Sequence, residues 1–386
     1  MAINLTSLWL KNIKRMGKAQ QTQGRKLLQS LLLKAVRTST ARRANPVKAA
    51  SAKAVKRSGQ SSTTQARFVT GLPGSWRKAC FPPTNAGQLA PVQRMLYWLY
   101  LPSGASAVAA VPRPLVVMLH GCQQTAADFA TATRMNELAE RKGFAVLYPQ
   151  QSAAADSHRC WPWYQRATQQ GLGDASRIAD MIAQVQRKHG LDASRTYVAG
   201  LSAGAAMAMI VAWHHPELIT AVGLHSAPVF GTSDSPMSAY RTMQHGSGMT
   251  YREAARKFSQ ASPLFPGMPA LLIHGKRDPV VQRINVEQLA EQFLILNAAL
   301  IGQAEPVLRS YAARLGGRRP RHAYKTATYY VGRKPELVRC EVDALGHAWS
   351  GGDASVAFSA PEGPDATLMM WNFFAQHQRA SVPLKS

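Results

Sequence analysis

The stretch Thr196-Tyr197-Val198-Ala199-Gly200-Leu201-Ser202-Ala203-Gly204-Ala205-Ala206-Met207 decides how this chain is read. A β-branched and aromatic run suited to a buried strand meets Gly-x-Ser-x-Gly and then passes into strong helix formers. That order predicts a tight strand-to-helix turn with Ser202 at its apex. Glycines on either side remove the Cβ atoms that would crowd such a turn. A serine held there is exposed at the end of a sheet strand and is a candidate nucleophile.

Outward from this turn, strands and helices alternate. Met95-Leu96-Tyr97-Trp98-Leu99-Tyr100 reads as an early strand, and Leu115-Val116-Val117-Met118-Leu119 as the buried centre of a parallel sheet. A helix is expected over 127–142, then a strand over 144–148 stopped by Pro149. Ile178, Met181, Ile182 and Val185 share one helical face. Further strands are expected at 219–224, 270–273 and 337–342, and helices at 286–298 and 366–376. The alternation predicts a doubly wound α/β fold with a mostly parallel central sheet flanked by helices.

A serine hydroxyl needs a base to take its proton and an acid to orient that base. On this fold the chain order is Ser, then Asp or Glu, then His. Pro269-Ala270-Leu271-Leu272-Ile273-His274-Gly275-Lys276-Arg277-Asp278 is a buried strand followed by an acid at its carboxyl end, where α/β folds place functional groups. Asp278 is the expected acid, and Asp343, also beyond a strand, is its rival. Gly346-His347-Ala348-Trp349-Ser350-Gly351-Gly352 sets His347 in a glycine-rich loop after the last strand, which makes it the expected base. The oxyanion donors expected are the backbone amides of Ala203 and of Cys122, the latter in His120-Gly121-Cys122-Gln123-Gln124. Trp161, Trp163 and Trp349 are candidate walls of an apolar substrate pocket, with core packing as the other explanation.

Charge is distributed unevenly. The chain of 386 residues carries a formal net charge of +26, yet no Asp or Glu precedes Asp128 while nineteen Lys and Arg do. Fourteen of those lie in residues 1–66, rich also in Gln, Ser, Thr and Ala, which read as a largely disordered basic extension ahead of a catalytic domain at 67–386. Leu27, Leu28, Leu31, Leu32 and Val36 share a helical face ringed by cations, so an anionic membrane or granule surface is a candidate partner. No nucleic-acid-reading motif accompanies the charge, and no specific nucleic acid is expected. The N-terminus lacks the order of a secretory signal, and no run is long enough for an apolar membrane span. Cys80, Cys122, Cys160 and Cys340 lack metal-ligand spacing, so no metal is expected, and they allow up to two disulfides.

Six ordered motifs together give the chain a resemblance to polyhydroxybutyrate depolymerase family esterases. They are His120 to Gln124 with Ala126-Ala127-Asp128-Phe129; Tyr148-Pro149-Gln150-Gln151; Arg159-Cys160-Trp161-Pro162-Trp163-Tyr164; the Ser202 turn; His274-Gly275 with Asp278; and Gly346 to Gly352. The resemblance spans about residues 94–374. It implies an α/β-hydrolase domain with Ser202, Asp278 and His347 as triad, Cys122 and Ala203 as oxyanion donors, and no cofactor. The implied substrate is poly(3-hydroxybutyrate) or its oligomers. It also implies a Cys122–Cys160 disulfide, leaving Cys80 with Cys340 as a pairing by elimination, and an extracellular location, against a cytoplasmic, granule-associated alternative. Polymer-degrading members carry a linker and binding domain that this sequence lacks after the last helix, so short oligomers, amorphous polymer or soluble esters are expected over crystalline polymer. The alternatives are a feruloyl or acetyl esterase acting on plant polysaccharide, and a polyanion- or surface-binding protein with an inactive hydrolase domain.

Overall fold

The computed structural model describes residues 71–81, 94–104, 111–317 and 320–379. In chain order the first strands are β1 (Ser75–Phe81), β2 (Met95–Leu101) and β3 (Leu115–Leu119). Helices α1 (Ala126–Thr133) and α2 (Met135–Lys142) lead to β4 (Ala145–Gln150), then α3 (Arg166–Gln169) and α4 (Asp174–His189). β5 (Thr196–Leu201), α5 (Ala203–His214) and β6 (Ala221–His225) follow, then α6 (Pro236–His245), α7 (Thr250–Ala261) and β7 (Ala270–Gly275). The chain continues through α8 (Ile284–Leu296), α9 (Ala298–Ile301), β8 (Val307–Tyr311), β9 (Tyr324–Val331) and β10 (Lys334–Val342). Two-residue strands β11 (Trp349–Ser350) and β12 (Ser359–Ala360) precede α10 (Ala366–Phe374).

Ten strands form one sheet in the order β1-β2-β4-β3-β5-β6-β7-β10-β9-β8. The central run from β4 to β10 is parallel, and antiparallel pairs close both flanks. Central strands β3, β5, β6 and β7 are buried along their whole length, which explains their apolar runs, interrupted only by Thr196, His225 and His274 at or near strand ends. One face packs against α4, α5 and α8 through residues such as Ile178, Trp213 and Phe293. The other packs against α1, α2 and α10 through Phe129, Leu138, Met370 and Phe374. α5 is buried from Ala203 to Trp213, as befits a helix with no polar face.

Three expectations are corrected. The helix over 127–142 is two helices, because Arg134 turns into the left-handed region (φ 52°, ψ 27°) and its guanidinium donates to the Gly351 carbonyl. Pro149 does not stop β4. The pairing with β3 ends at Leu147, so Pro149 has only β2 beside it and its missing N–H is tolerated. Cys80 and Cys340 are both free. Cys80 lies in β1 and Cys340 in β10, seven strand spacings apart, or roughly 30 Å at the usual interstrand distance. No disulfide spans that gap. The extension 1–66, with its amphipathic segment, lies outside the described residues.

Candidate active site

The turn at Ser202 has the strained backbone that its sequence predicts, with φ 57° and ψ −122°. A Cβ on Gly200 would lie 2.4 Å from the Gly204 carbonyl carbon, and one on Gly204 would lie 2.1 Å from the Leu119 oxygen. Both glycines are therefore required where α5 crosses the ends of β3 and β5. The Ser202 amide donates to the His225 carbonyl at 2.9 Å, which fixes the turn to the neighbouring strand β6.

Asp278 follows β7 and is buried. One carboxylate oxygen accepts the amides of Val280 and Val281, each at 2.9 Å, and the other accepts His347 Nδ1 at 2.7 Å. Burial alone would raise the Asp278 pKa, but the charge and hydrogen bond of the facing His347 outweigh it, and the net shift is downward. The pairing assigns the proton to Nδ1 of His347 and leaves Nε2 as the acceptor. The close approach of the His347 loop depends on Gly275, where a Cβ would sit 2.3 Å from the Leu345 oxygen. Asp343 instead pairs with Lys276 Nζ at 2.6 Å, which turns it away from the acid role.

Ser202 and His347 line one small cleft together with Gly121, Cys122, Gln124, Leu201 and Phe358. Among the described residues the Ser202 hydroxyl makes no hydrogen bond to His347. Such bonds are commonly loose without substrate and tighten in the reacting complex. Ala203 occupies the first position of α5, where a backbone N–H has no intrahelical acceptor, and Cys122 borders the same cleft.

The loop bearing Cys122 is braced from every side, and the braces are the sequence motifs themselves. Cys122 is disulfide-bonded to Cys160. Gln123 N donates to the His158 carbonyl at 2.6 Å, and Gly121 N to Gln124 Oε1 at 2.9 Å. His120 is buried, its Nε2 accepts the Gln151 amide at 3.1 Å, and its Nδ1 therefore donates to the Gly121 carbonyl at 2.8 Å. Burial pushes the His120 pKa down to about 4, so the ring stays neutral at ordinary pH. Trp161 Nε1 donates to the His120 carbonyl at 3.0 Å.

The tryptophans depart from the expectation of pocket walls. Trp161 and Trp349 are fully buried, and Trp349 donates to Thr367 Oγ1 while stacking on His225. Trp163 is almost as buried and packs edge-on to Tyr164. None of the three borders the cleft beside Ser202. The aromatic side chain that does is Phe358, held at φ 58° and edge-on to the His347 ring. No periodicity marks Phe358, since it sits in a loop and reaches the site only through tertiary packing.

Fold and site geometry place the protein among the α/β-hydrolases, with a serine turn, a His–Asp pair and a braced amide loop at the carboxyl ends of the parallel strands. Residues 95–310 match the model of the Esterase PHB depolymerase family, and the chain belongs to that family. It is 33% identical over 214 residues to poly(3-hydroxyalkanoate) depolymerase C of Paucimonas lemoignei, covering 54% of this chain and 49% of that protein. It is 26% identical over 258 residues to a probable acetylxylan esterase A of Aspergillus clavatus, covering 64% and 75%. The chain thus spans about half the length of the Paucimonas relative. Among solved structures, an acetyl xylan esterase from Aspergillus awamori shares the fold with a TM-score of 0.59 at 21% identity, over 78% of this chain and 99% of that one.

Proposed function

We propose that the protein is a serine esterase that hydrolyses carboxylic ester bonds, those of poly(3-hydroxybutyrate) or its oligomers, through an acyl-enzyme on Ser202. Ser202 Oγ attacks the ester carbonyl carbon while His347 Nε2 takes its proton, and Asp278 holds the imidazole in that tautomer. The Cys122 and Ala203 amides receive the charge that develops on the carbonyl oxygen. His347 returns the proton to the departing alcohol as the C–O bond breaks. Water then attacks the acyl-enzyme with His347 again as base, releasing the acid and the free serine.

The observation that carries this reading is the 2.7 Å bond between His347 and Asp278 beside a cleft shared with Ser202. Treatment with a fluorophosphonate tests it: one covalent adduct on Ser202 is expected, and none on Ser202→Ala. An unreactive wild-type protein would mean an inactive hydrolase domain.

A second reading, an acetyl esterase, is favoured by the likeness to acetylxylan esterases, one of which the match covers to 75% of its length and another of which shares the fold over 99% of its chain. Hydrolysis rates on p-nitrophenyl acetate and butyrate, hydroxybutyrate oligomers, acetylated xylan and methyl ferulate separate these readings. An extracellular location is supported by the Cys122–Cys160 disulfide, since such bonds persist in oxidising compartments. The domain reading keeps 67–386 as the catalytic unit, and an anionic membrane or granule surface is the proposed partner of the basic segment before it.

A further inference from the structure

Between Glu305 and Glu336 the sequence contains no acidic residue and eight Lys and Arg. The family match ends at residue 310, within β8, so most of this run lies beyond it. The run's described residues form β8, β9, part of the connection between them and the first two residues of β10, at the outer edge of the sheet. The register sets Tyr311 of β8 against Tyr324 of β9, Tyr324 against Val342 of β10, and Val342 against Gly275 of β7. Gly275 is the end of β7 that leads to Asp278. The connection from β8 to β9 therefore projects from the same end of the sheet as the catalytic candidates.

This edge is amphipathic, not merely basic. Leu308 is 74% exposed and Leu315 is 90% exposed, an unusual setting for leucine on a strand edge and a loop tip. Arg309, on the strand face opposite to Leu308, and Arg314 and Lys325 are exposed along the same edge. The base of the loop is held firmly. Tyr311 and Tyr324 stack at 4.3 Å, the Arg321 guanidinium lies over Tyr324 at 5.7 Å, and Arg321 bridges to Gly363 of the segment that also carries Phe358. An edge of apolar tips and cations, anchored at its base, fits an insoluble surface that is apolar and bears anionic groups. A soluble polyanion would use the cations and have no use for the leucines.

We infer that the β8–β9 edge is an adsorption surface for solid polyester, with Leu308 and Leu315 contacting the apolar chains and Arg309, Arg314 and Lys325 facing the carboxylate chain ends. This inference rests on the esterase reading for its choice of polymer. Adsorption there sets the end of the sheet that carries Ser202 against the same surface.

Partition of the full chain onto poly(3-hydroxybutyrate) film tests it, alongside Leu308→Ser/Leu315→Ser and Arg309→Gln/Arg314→Gln/Lys325→Gln. The leucine variant is expected to lose at least about tenfold in partition, the order set by leaving two leucines without an apolar contact. The charge variant is expected to lose the salt dependence of binding. Both should hydrolyse soluble p-nitrophenyl acetate as the wild type does, which shows that they are folded. Unchanged adsorption of the leucine variant overturns the inference. So does retention on a heparin column that only the charge variant loses, with film binding intact, since the edge would then be a polyanion site. Failure of the wild type to hydrolyse any soluble ester would defeat the esterase reading and leave the partition result to be judged separately.

Discussion

The backbone carbonyl of His225 accepts the amide hydrogen of Ser202 at 2.9 Å. The imidazole of the same residue, fully buried, accepts the Ser350 amide at Nε2 over 3.2 Å, three residues beyond His347. One residue at the end of β6 therefore holds the serine turn with its main chain and the histidine loop with its side chain. The separation of Ser202 and His347 depends on it.

Replacing His225 with alanine should lower kcat by between about tenfold and a hundredfold with little change in KM, the scale of a loop displaced by about 1 Å from its productive position. His225→Gln, whose amide oxygen can accept an N–H, should recover part of the loss. Steady-state kinetics on p-nitrophenyl acetate check both, and equal kcat in wild type and His225→Ala would remove the positioning role.

Asp278 and Asp343 separate cleanly. Asp278→Asn should reduce kcat by on the order of 10³- to 10⁴-fold, because the amide cannot hold His347 in the required tautomer. Asp343→Asn removes only the Lys276 pair, which is half-exposed, and should cost less than about 1 kcal/mol of stability with turnover near normal. A large kinetic loss from Asp343→Asn would exchange the two assignments.

The cysteines give a chemical test of the fold. Under native conditions iodoacetamide should modify Cys80, which is exposed, and spare Cys340, which is buried with its thiol pKa pushed up by burial. Peptide mapping without reductant should recover Cys122 joined to Cys160. Reduction opens a loop with a sequence separation of 38 and should cost roughly 3–4 kcal/mol. It should also lower activity, since the Cys122 amide loses a brace. Activity that survives full reduction would show that the hydrogen bonds from His120 and Gln124 suffice.

The central sheet and the serine turn were legible because they obey local rules. β3, β5 and β7 are short apolar runs, and the Gly200 and Gly204 positions follow from atoms packed against them. Asp278 and His347 followed from chain order. Less visible was anything set by distant contact. Arg134 breaks a helix in order to reach Gly351, and Phe358 enters the cleft from a loop without pattern. β8, with four of its five residues exposed, has no apolar periodicity to announce it. The tryptophans misled for a physical reason: aromatic residues beside a catalytic loop can brace it from behind as readily as line it.

His120 and His225 lead the buried histidines that set the response to acid, a group that also includes His274. Burial, the largest cause in each, lowers His120 to about 4 and His225 to about 3 from an ordinary 6.5. In both rings Nε2 accepts a backbone amide, so a proton there would break a structural bond. Below pH 6.5 the unfolded chain takes up a proton at each ring, whereas the native protein does not until the lowered values are reached. The unfolded state thus binds more protons across that window, and stability falls as the pH drops. Each histidine contributes up to about 1.4 kcal/mol per pH unit there. Asp278 acts in the same direction but lower, because its pKa lies below the ordinary 3.8 and its contribution disappears only as the carboxylate is protonated. Urea midpoints measured from pH 8 to pH 4 should be flat at first and decline below about pH 6.5. His225→Gln should make the decline shallower, and an identical slope in that variant would show that the acid sensitivity lies elsewhere.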